Sequence, residues 1–278
     1  MLPTLTIIGC GSVGKVLGHL WATKGVFRIQ EVLNRSCDSA AAAIAFMGAG
    51  EAAVGWDALR PADFFMIATP DDQIESACTA LARTGILCTR TIVFHCSGAL
   101  PSDVLAPAKA AGAAVASVHP IRSFAGSEAA ATGFAGTWCG IEGDKPAVEQ
   151  LTHAFSAIGA RLVSIDPAFK SVYHSAAVFS SNYLVTLLDV AVAAYAKAGV
   201  PREDALKLME PLVRGTVDNV FRLGTTDALT GPIARGDVAT VLRQYRAVSA
   251  WDRRAGALYK QLGKFTAVIA ARRRRNKG

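Results

Sequence analysis

Residues 5–14 read Leu5-Thr6-Ile7-Ile8-Gly9-Cys10-Gly11-Ser12-Val13-Gly14, an apolar run ending in glycines spaced G-x-G-x-x-G. The spacing alone is weak; its setting carries it. The glycines follow a strand-like segment and open a helical stretch over 13–21, with a second β-rich run at 27–34. Strand, turn, helix and strand in that order form the context in which this motif binds a dinucleotide. Gly9 suits the tight turn, Gly11 lets backbone N–H groups approach a pyrophosphate, and Gly14 lets the helix pack close to the strand. Ser12 and Val13 open the helix, where unpaired donors and the positive dipole end face an anion.

Outward from this unit, strands are expected at 5–9, 27–34, 64–68, 91–95, 114–118, 137–141 and 161–165. Helical patterns lie between most of them, for example 72–83 and 101–111. Such alternation argues for an α/β doubly wound domain, a parallel sheet covered on both faces. The pattern changes at Asp166-Pro167, an N-cap followed by a residue favoured at the first helical position. Beyond it only helical periodicity continues, over 166–198, 201–223 and roughly 238–271, with Gly199 and Pro201 as stop and start signals. The expected organisation is a dinucleotide-binding domain at 1–165, an all-α C-terminal domain at 166–271 and a basic disordered tail at 272–278.

The formal charge of +7 invites a nucleic-acid reading, so its location matters. Arg272, Arg273, Arg274, Arg275 and Lys277 supply five of those charges, and without them the chain stands at +2. No aromatics interleave the run, which reads as a solvated end and not as a nucleic-acid site. Apolar residues make up 51% of the chain, enough for a sizeable core. Cys10, Cys37, Cys78, Cys88, Cys96 and Cys139 show no CxxC pair and no metal-type spacing, so no metal is expected and a reducing, cytoplasmic compartment fits. No basic n-region precedes a hydrophobic signal, because the first strand starts almost at Met1. The longest apolar region, 175–196, carries Ser180, Ser181, Asn182 and Asp189 and reads as a buried core helix, not a membrane span.

The end of the second strand selects the cofactor. An acidic residue there would accept hydrogen bonds from a ribose 2′-hydroxyl and repel a 2′-phosphate. Asn34, Arg35 and Ser36 stand there instead, and Arg35 can stack on adenine and pair with the phosphate. Glu31 lies three residues earlier, within the strand, so NADP is the expected cofactor. Ala68, Thr69 and Pro70 follow at the carboxyl edge where cofactor and substrate meet, although Pro70-Asp71-Asp72 also suits the start of a helix.

A hydride-transfer site needs a proton donor and groups that hold a substrate beside the nicotinamide. Ser97 follows the run at 91–95 and can hold the carboxamide or substrate; His95 before it is as well read as packed within its strand. His119 precedes Pro120, so it is extended and aimed at the crevice, and Arg122 can pair with a substrate carboxylate. The helix opening the second domain carries Lys170, His174, Ser181 and Asn182, with His174 one turn after Lys170 and Ser181 two turns further. Lys170 or His174 is the expected proton donor, with Ser97 and Asn182 orienting the substrate. The plainer readings are a structural histidine, a capped turn and a surface arginine.

The combination of IIGCGSVG (7–14), IATPDDQI (67–74), HPIRSFAG (119–126), YHSAAVFSSNYLVTL (173–187) and ALTGPIARGD (228–237) resembles proteins that pair a Rossmann-like domain with a helical DUF2520 domain. The resemblance covers essentially the whole chain. That group is similar to the wider 6-phosphogluconate dehydrogenase-like superfamily of β-hydroxyacid dehydrogenases, pyrroline-5-carboxylate reductases and F420-dependent NADP reductases. It implies an NADP-binding oxidoreductase with an interdomain cleft, dimeric through its helical domain. Convergence of Lys170, His174, Ser97, Asn182 and Arg122 on one expected crevice gives hydride transfer with a small, anionic carbonyl or imine as the expected reaction. The β-hydroxyacid dehydrogenase pattern carries over in part: Ser97 matches its serine and Lys170 its lysine, but its asparagine is here His174 and its substrate loop is HPIRSFAG. The alternative is an NADP(H)-binding sensor or partner-binding protein without turnover.

Overall fold

The computed structural model describes residues 1–275, which form two compact units, Met1–Ser180 and a second beginning at Ser181. In the first unit, strands β1 (Thr4–Ile8), β2 (Arg28–Leu33), β3 (Glu51–Ala52), β4 (Phe64–Ile67), β5 (Ile92–His95), β6 (Ala114–Pro120), β7 (Trp138–Gly143) and β8 (Arg161–Ser164) make one sheet. Their order is β3-β2-β1-β4-β5-β6-β7-β8. The chain leaves β1 towards β2 on one side and returns to β4 on the other, so a crevice opens outside the carboxyl ends of β1 and β4.

Helices α1 (Ser12–Thr23), α2 (Cys37–Met47), α3 (Ile74–Arg83), α4 (Ala106–Ala110), α5 (Ser127–Thr132), α6 (Lys145–Ala157) and α7 (Lys170–Ser180) belong to this unit. Alternate residues of the central strands feed two separate cores. Phe64, Met66, Ile92 and Phe94 pack with Trp21, Phe27 and Phe155, whereas Phe65, Ile67 and Val93 pack with Ile74, Cys78 and Leu81. Burial on both faces is why these strands read as continuous apolar runs.

The alternation predicts a parallel sheet, and β7 departs from it by running antiparallel to β6. The segment between them holds only the six-residue α5, which packs on α1 and does not carry the chain back across the sheet. Strand β7 therefore starts at the edge where β6 ended.

The second unit is helical: α8 (Asn182–Lys197), α9 (Arg202–Ala228), α10 (Pro232–Arg235), α11 (Val238–Trp251) and α12 (Arg253–Arg275). Its buried cluster is Val192, Ala205 and Met209, and α9 is kinked at Gly224 (φ 78°). The expected helix over 166–198 is broken into a 3-10 turn at Pro167–Phe169, then α7, then α8 after a non-helical Ser181 (φ −125°, ψ −72°). The unit boundary consequently falls after Ser180 and not at 165, because α7 begins with a lysine buried among β6 and β7.

Two further expectations are corrected. Arg272–Arg275 is not a loose tail but the last turn of α12, where Arg273 Nη1 donates to the Leu229 carbonyl at 2.5 Å; Asn276, Lys277 and Gly278 lie outside the described residues. The apolar region 175–196 is not a buried core helix of this chain, since Val192 is its only buried residue. By length and composition alone, Pro167–Lys197 is long and apolar enough to cross a membrane.

Candidate functional site

The glycine turn joins β1 to α1 at the crevice. Gly9 has φ +76°, and a Cβ there would sit 2.8 Å from the Thr69 nitrogen, so only glycine fits where the ends of β1 and β4 meet. Around Gly11 nothing lies within 4 Å of the same position, which leaves the backbone open to a phosphate. A Cβ at Gly14 would meet Cys10 Sγ and Ile7 Cγ2 at 3.2 and 3.4 Å, the close helix–strand approach its position requires. The turn is pinned from β2, because Cys10 N donates to Asn34 Oδ1 at 2.6 Å.

Asn34 thus acts first by holding the turn, and Ser36 caps α2 by accepting from Ser39 N. Arg35 is exposed and lines a cleft of about 410 Å³ with Gly9, Asn34, Trp56, Thr69 and Gln73. Trp56 was not foreseen; it sits in a 3-10 turn with no periodicity to flag it. Glu31 is committed elsewhere: its carboxylate accepts from Arg60 Nε at 2.8 Å and from Arg60 N at 3.0 Å. No acid from β2 therefore competes at the Arg35 end. Pro70 precedes a 3-10 turn (Asp71–Gln73) that leads into α3, so its start-signal role holds, and Thr69 Oγ1 is buried without a hydrogen-bond partner. An orphaned hydroxyl at this edge fits a bound polar group.

Along the same edge, Ser97 Oγ donates to Asp71 Oδ2 at 2.9 Å and accepts from Ala99 N and Leu100 N. Its hydroxyl is saturated by its own loop. His95 is buried; Nδ1 accepts from Ser97 N at 3.1 Å and Nε2 lies 3.2 Å from the Pro101 carbonyl. Burial, then the Lys170 charge, pushes its pKa down to about 4, so it is a neutral structural histidine.

Lys170 is 1% exposed. Its Nζ donates to Ser117 Oγ and, at 3.1 Å, to Glu142 Oε1. Ser102 completes the group, donating to Glu142 from its backbone at 2.8 Å and from its hydroxyl at 2.7 Å. Burial pulls the lysine pKa down while Glu142 pulls it up. The expected catalytic lysine is thus enclosed in an ion pair behind the edge.

In front of that pair, α7 presents Tyr173 and His174 to His119 of β6. His119 Nδ1 lies 3.2 Å from Tyr173 Oη, and the His119 and His174 rings stand 5.5 Å apart, edge to face. Both imidazoles press on Gly98, where a Cβ would lie 2.7 Å from His119 Nε2 and collide with His174 Nδ1. That His174 nitrogen is buried and unpartnered. His119 is held neutral, its pKa pushed to about 4 by burial, then by His174 and Lys170.

The structure therefore brings Lys170, His119, His174 and Ser97 to one edge of the first unit. Arg122 is exposed and folds back to donate to the Gly133 carbonyl, and Asn182 belongs to the second unit, where its Oδ1 accepts from Ser181 Oγ at 3.0 Å. Tyr173, Glu142, Ser117 and Gly98 were missed. Tyr173 lies inside the motif already quoted beside His174, but no sequence pattern pairs residue 142 with residue 170.

A doubly wound sheet with a glycine turn at its switch point makes the first unit a Rossmann-like fold. More particularly, residues 3–120 match the Rossmann-like domain and residues 137–266 match DUF2520, a domain of unknown function, so this chain joins those two domains. Among solved structures it is similar to protein TM1727 from Thermotoga maritima, at 26% identity and TM-score 0.78, covering 97% of this chain and 99% of that one. Protein BF3122 from Bacteroides fragilis follows at 21% identity and TM-score 0.75, covering 96% and 98%. A reductive aminase from Aspergillus terreus, in complex with NADPH and ethyl levulinate, shares the fold at 16% identity and TM-score 0.67, covering 98% and 95%. No curated protein matches the chain in sequence.

Proposed function

We propose that this chain is an NADP(H)-dependent oxidoreductase that moves a hydride to or from a small carbonyl, imine, hydroxy or amino substrate. The observation that carries this is one crevice edge holding the open glycine turn, the Arg35 cleft and the paired His119 and His174 rings. The NADPH complex of the reductive aminase, which shares the fold, supports it. When bound, the nicotinamide supplies or accepts the hydride. The turn at Gly9–Gly14 with Ser12 and Val13 holds the pyrophosphate, Arg35 meets the 2′-phosphate, and Thr69 Oγ1 takes a ribose or carboxamide partner.

His119 and His174 manage the proton. Lys170, enclosed by Glu142 and Ser117, acts by fixing the first turn of α7, from which Tyr173 and His174 project. Arg122 keeps donors beyond its one carbonyl bond, enough to hold an anionic substrate group. Ser97 remains an orienting residue in this scheme, through the loop it braces.

The working form is a homodimer through the helical unit in a reducing, cytoplasmic setting. Phe221, Phe265 and Leu212 of that unit are 87%, 72% and 66% exposed, more large apolar surface than an isolated chain carries comfortably. All six cysteines are free thiols, as a reducing compartment keeps them.

The test is calorimetric titration of the apo protein with NADPH, NADP, NADH and NAD, followed by NADPH oxidation across a carbonyl and imine panel. Tight binding of the phosphorylated pair with turnover supports the reading. Preference for the unphosphorylated pair would overturn the Arg35 assignment, and no binding would end the proposal.

A further inference from the structure

We infer that Tyr173 and His119 form a proton relay aimed past Gly98, and that the reducible group of the substrate is therefore a carbonyl and not an iminium. This rests on the reductase reading above and names the substrate class of that site.

The geometry comes first. His119 and Gly140 are opposed across β6 and β7, and a Cβ at residue 140 would collide with the Tyr173 hydroxyl. A glycine at 140 thus admits Tyr173 Oη to His119 Nδ1, 3.2 Å away. A second glycine, at 98, admits His119 Nε2 to the loop after β5, at the carboxyl edge of the sheet. The imidazole is a bridge between the two positions.

Protonation follows from ordinary basicity. Imidazole nitrogen is a stronger base than a phenol oxygen, so Tyr173 O–H donates to Nδ1 and the ring proton sits on Nε2. Burial raises the Tyr173 pKa and keeps that proton in place. The groups facing His119 are Tyr173, His174 and Lys170, all on α7, with Gly140 from β7 and Gly98 from the loop after β5. His119 stays neutral, its pKa near 4, so it cannot serve as an imidazolium acid at neutral pH. A neutral imidazole can still pass a proton through.

The step balances as follows. Hydride from a reduced nicotinamide nucleotide adds to the carbonyl carbon and the π pair moves onto oxygen. The oxygen takes the Nε2 proton while Nδ1 takes the Tyr173 proton; Nδ1 then returns that proton to the phenolate as Nε2 takes one from water. Carbonyl, hydride and proton give an alcohol. An iminium already carries its proton, so hydride addition yields the amine with no use for a relay.

Nitrogen-15 NMR of the apo protein between pH 5 and 8 tests the relay without cofactor or substrate. His119 is expected neutral throughout with its proton on Nε2, and Tyr173→Phe should release it to mixed tautomers. A wild-type His119 protonated on Nδ1, or titrating near its ordinary value, would overturn the relay. Turnover with NADPH tests the substrate class. Tyr173→Phe should slow reduction of an aldehyde or ketone about 100-fold in kcat with KM unchanged, and leave a preformed cyclic iminium within about twofold. Equal losses on both, no loss on the carbonyl, or wild-type turnover of the iminium alone would overturn the carbonyl assignment. Cofactor binding with turnover of neither would remove that assignment together with the reductase reading, and the NMR result would still decide the relay.

Discussion

A lysine and a glutamate removed from water together are stable only as a pair, and Lys170 with Glu142 is such a case. Lys170→Met leaves the Glu142 carboxylate buried with only Ser102 to satisfy it, a loss of about 3–5 kcal/mol. The double variant Lys170→Met/Glu142→Leu should recover most of that loss in urea unfolding, and a single-variant loss below about 1 kcal/mol would contradict the pairing. Gly98→Ala puts a methyl into His119 and His174, so NADPH-dependent turnover should fall at least about tenfold while cofactor affinity holds. At the other end of the crevice, Arg35→Ala should weaken NADPH binding about 10–100-fold and leave NADH nearly unchanged by calorimetry. Arg35 could be singled out in the sequence because it stands just past the end of a β-rich run. The enclosure of Lys170 was not, since Glu142 and Ser117 lie 28 and 53 residues away in the chain.

Among elements, α1 shows how one helix serves both stability and site. Its N-terminal end opens on the glycine turn, and its far end is locked by Trp21, whose Nε1 donates to the Ala154 carbonyl at 3.0 Å. The indole meets Phe27, Phe94 and Phe155 edge-on within the larger core. Trp21→Ala should cost about 3–5 kcal/mol by chemical denaturation, from lost burial and a cavity that rigid neighbours cannot fill. Helix α7 was legible as a helix but not as a member of the first unit. Periodicity reports which face of a helix is apolar, and in α7 the deciding contact is a buried charge.

For the molecule as a whole, acid should loosen the fold. His95 is fully buried with a pKa of about 4, against 6.5 when exposed, so between those values the unfolded chain binds a proton that the folded chain refuses. Stability is full above pH 6.5 and falls towards pH 4, by up to roughly 3 kcal/mol from this residue, with His119 acting in the same direction. The urea midpoint should drop between pH 7 and 4.5; a rise would reverse the sign. Association belongs to this scale too. Light scattering should give the mass of two chains, and Phe221→Asp should shift it towards one if the exposed helical face is the contact.

The sequence by itself determined what depends on neighbours and on period: the glycine turn, the alternation of strands with helices, and the place of Arg35 just past the end of β2. Each is fixed within a few residues, by steric limits at Gly9 or by side chains that alternate along a strand. Only the tertiary structure decided the direction of β7, the burial of Lys170 and the bridge from Tyr173 through His119 to Gly98. Those depend on groups as distant in the chain as Gly98 and Tyr173 being brought together where water is excluded, and a charge or an imidazole takes its role there from its surroundings and not from its place in the chain.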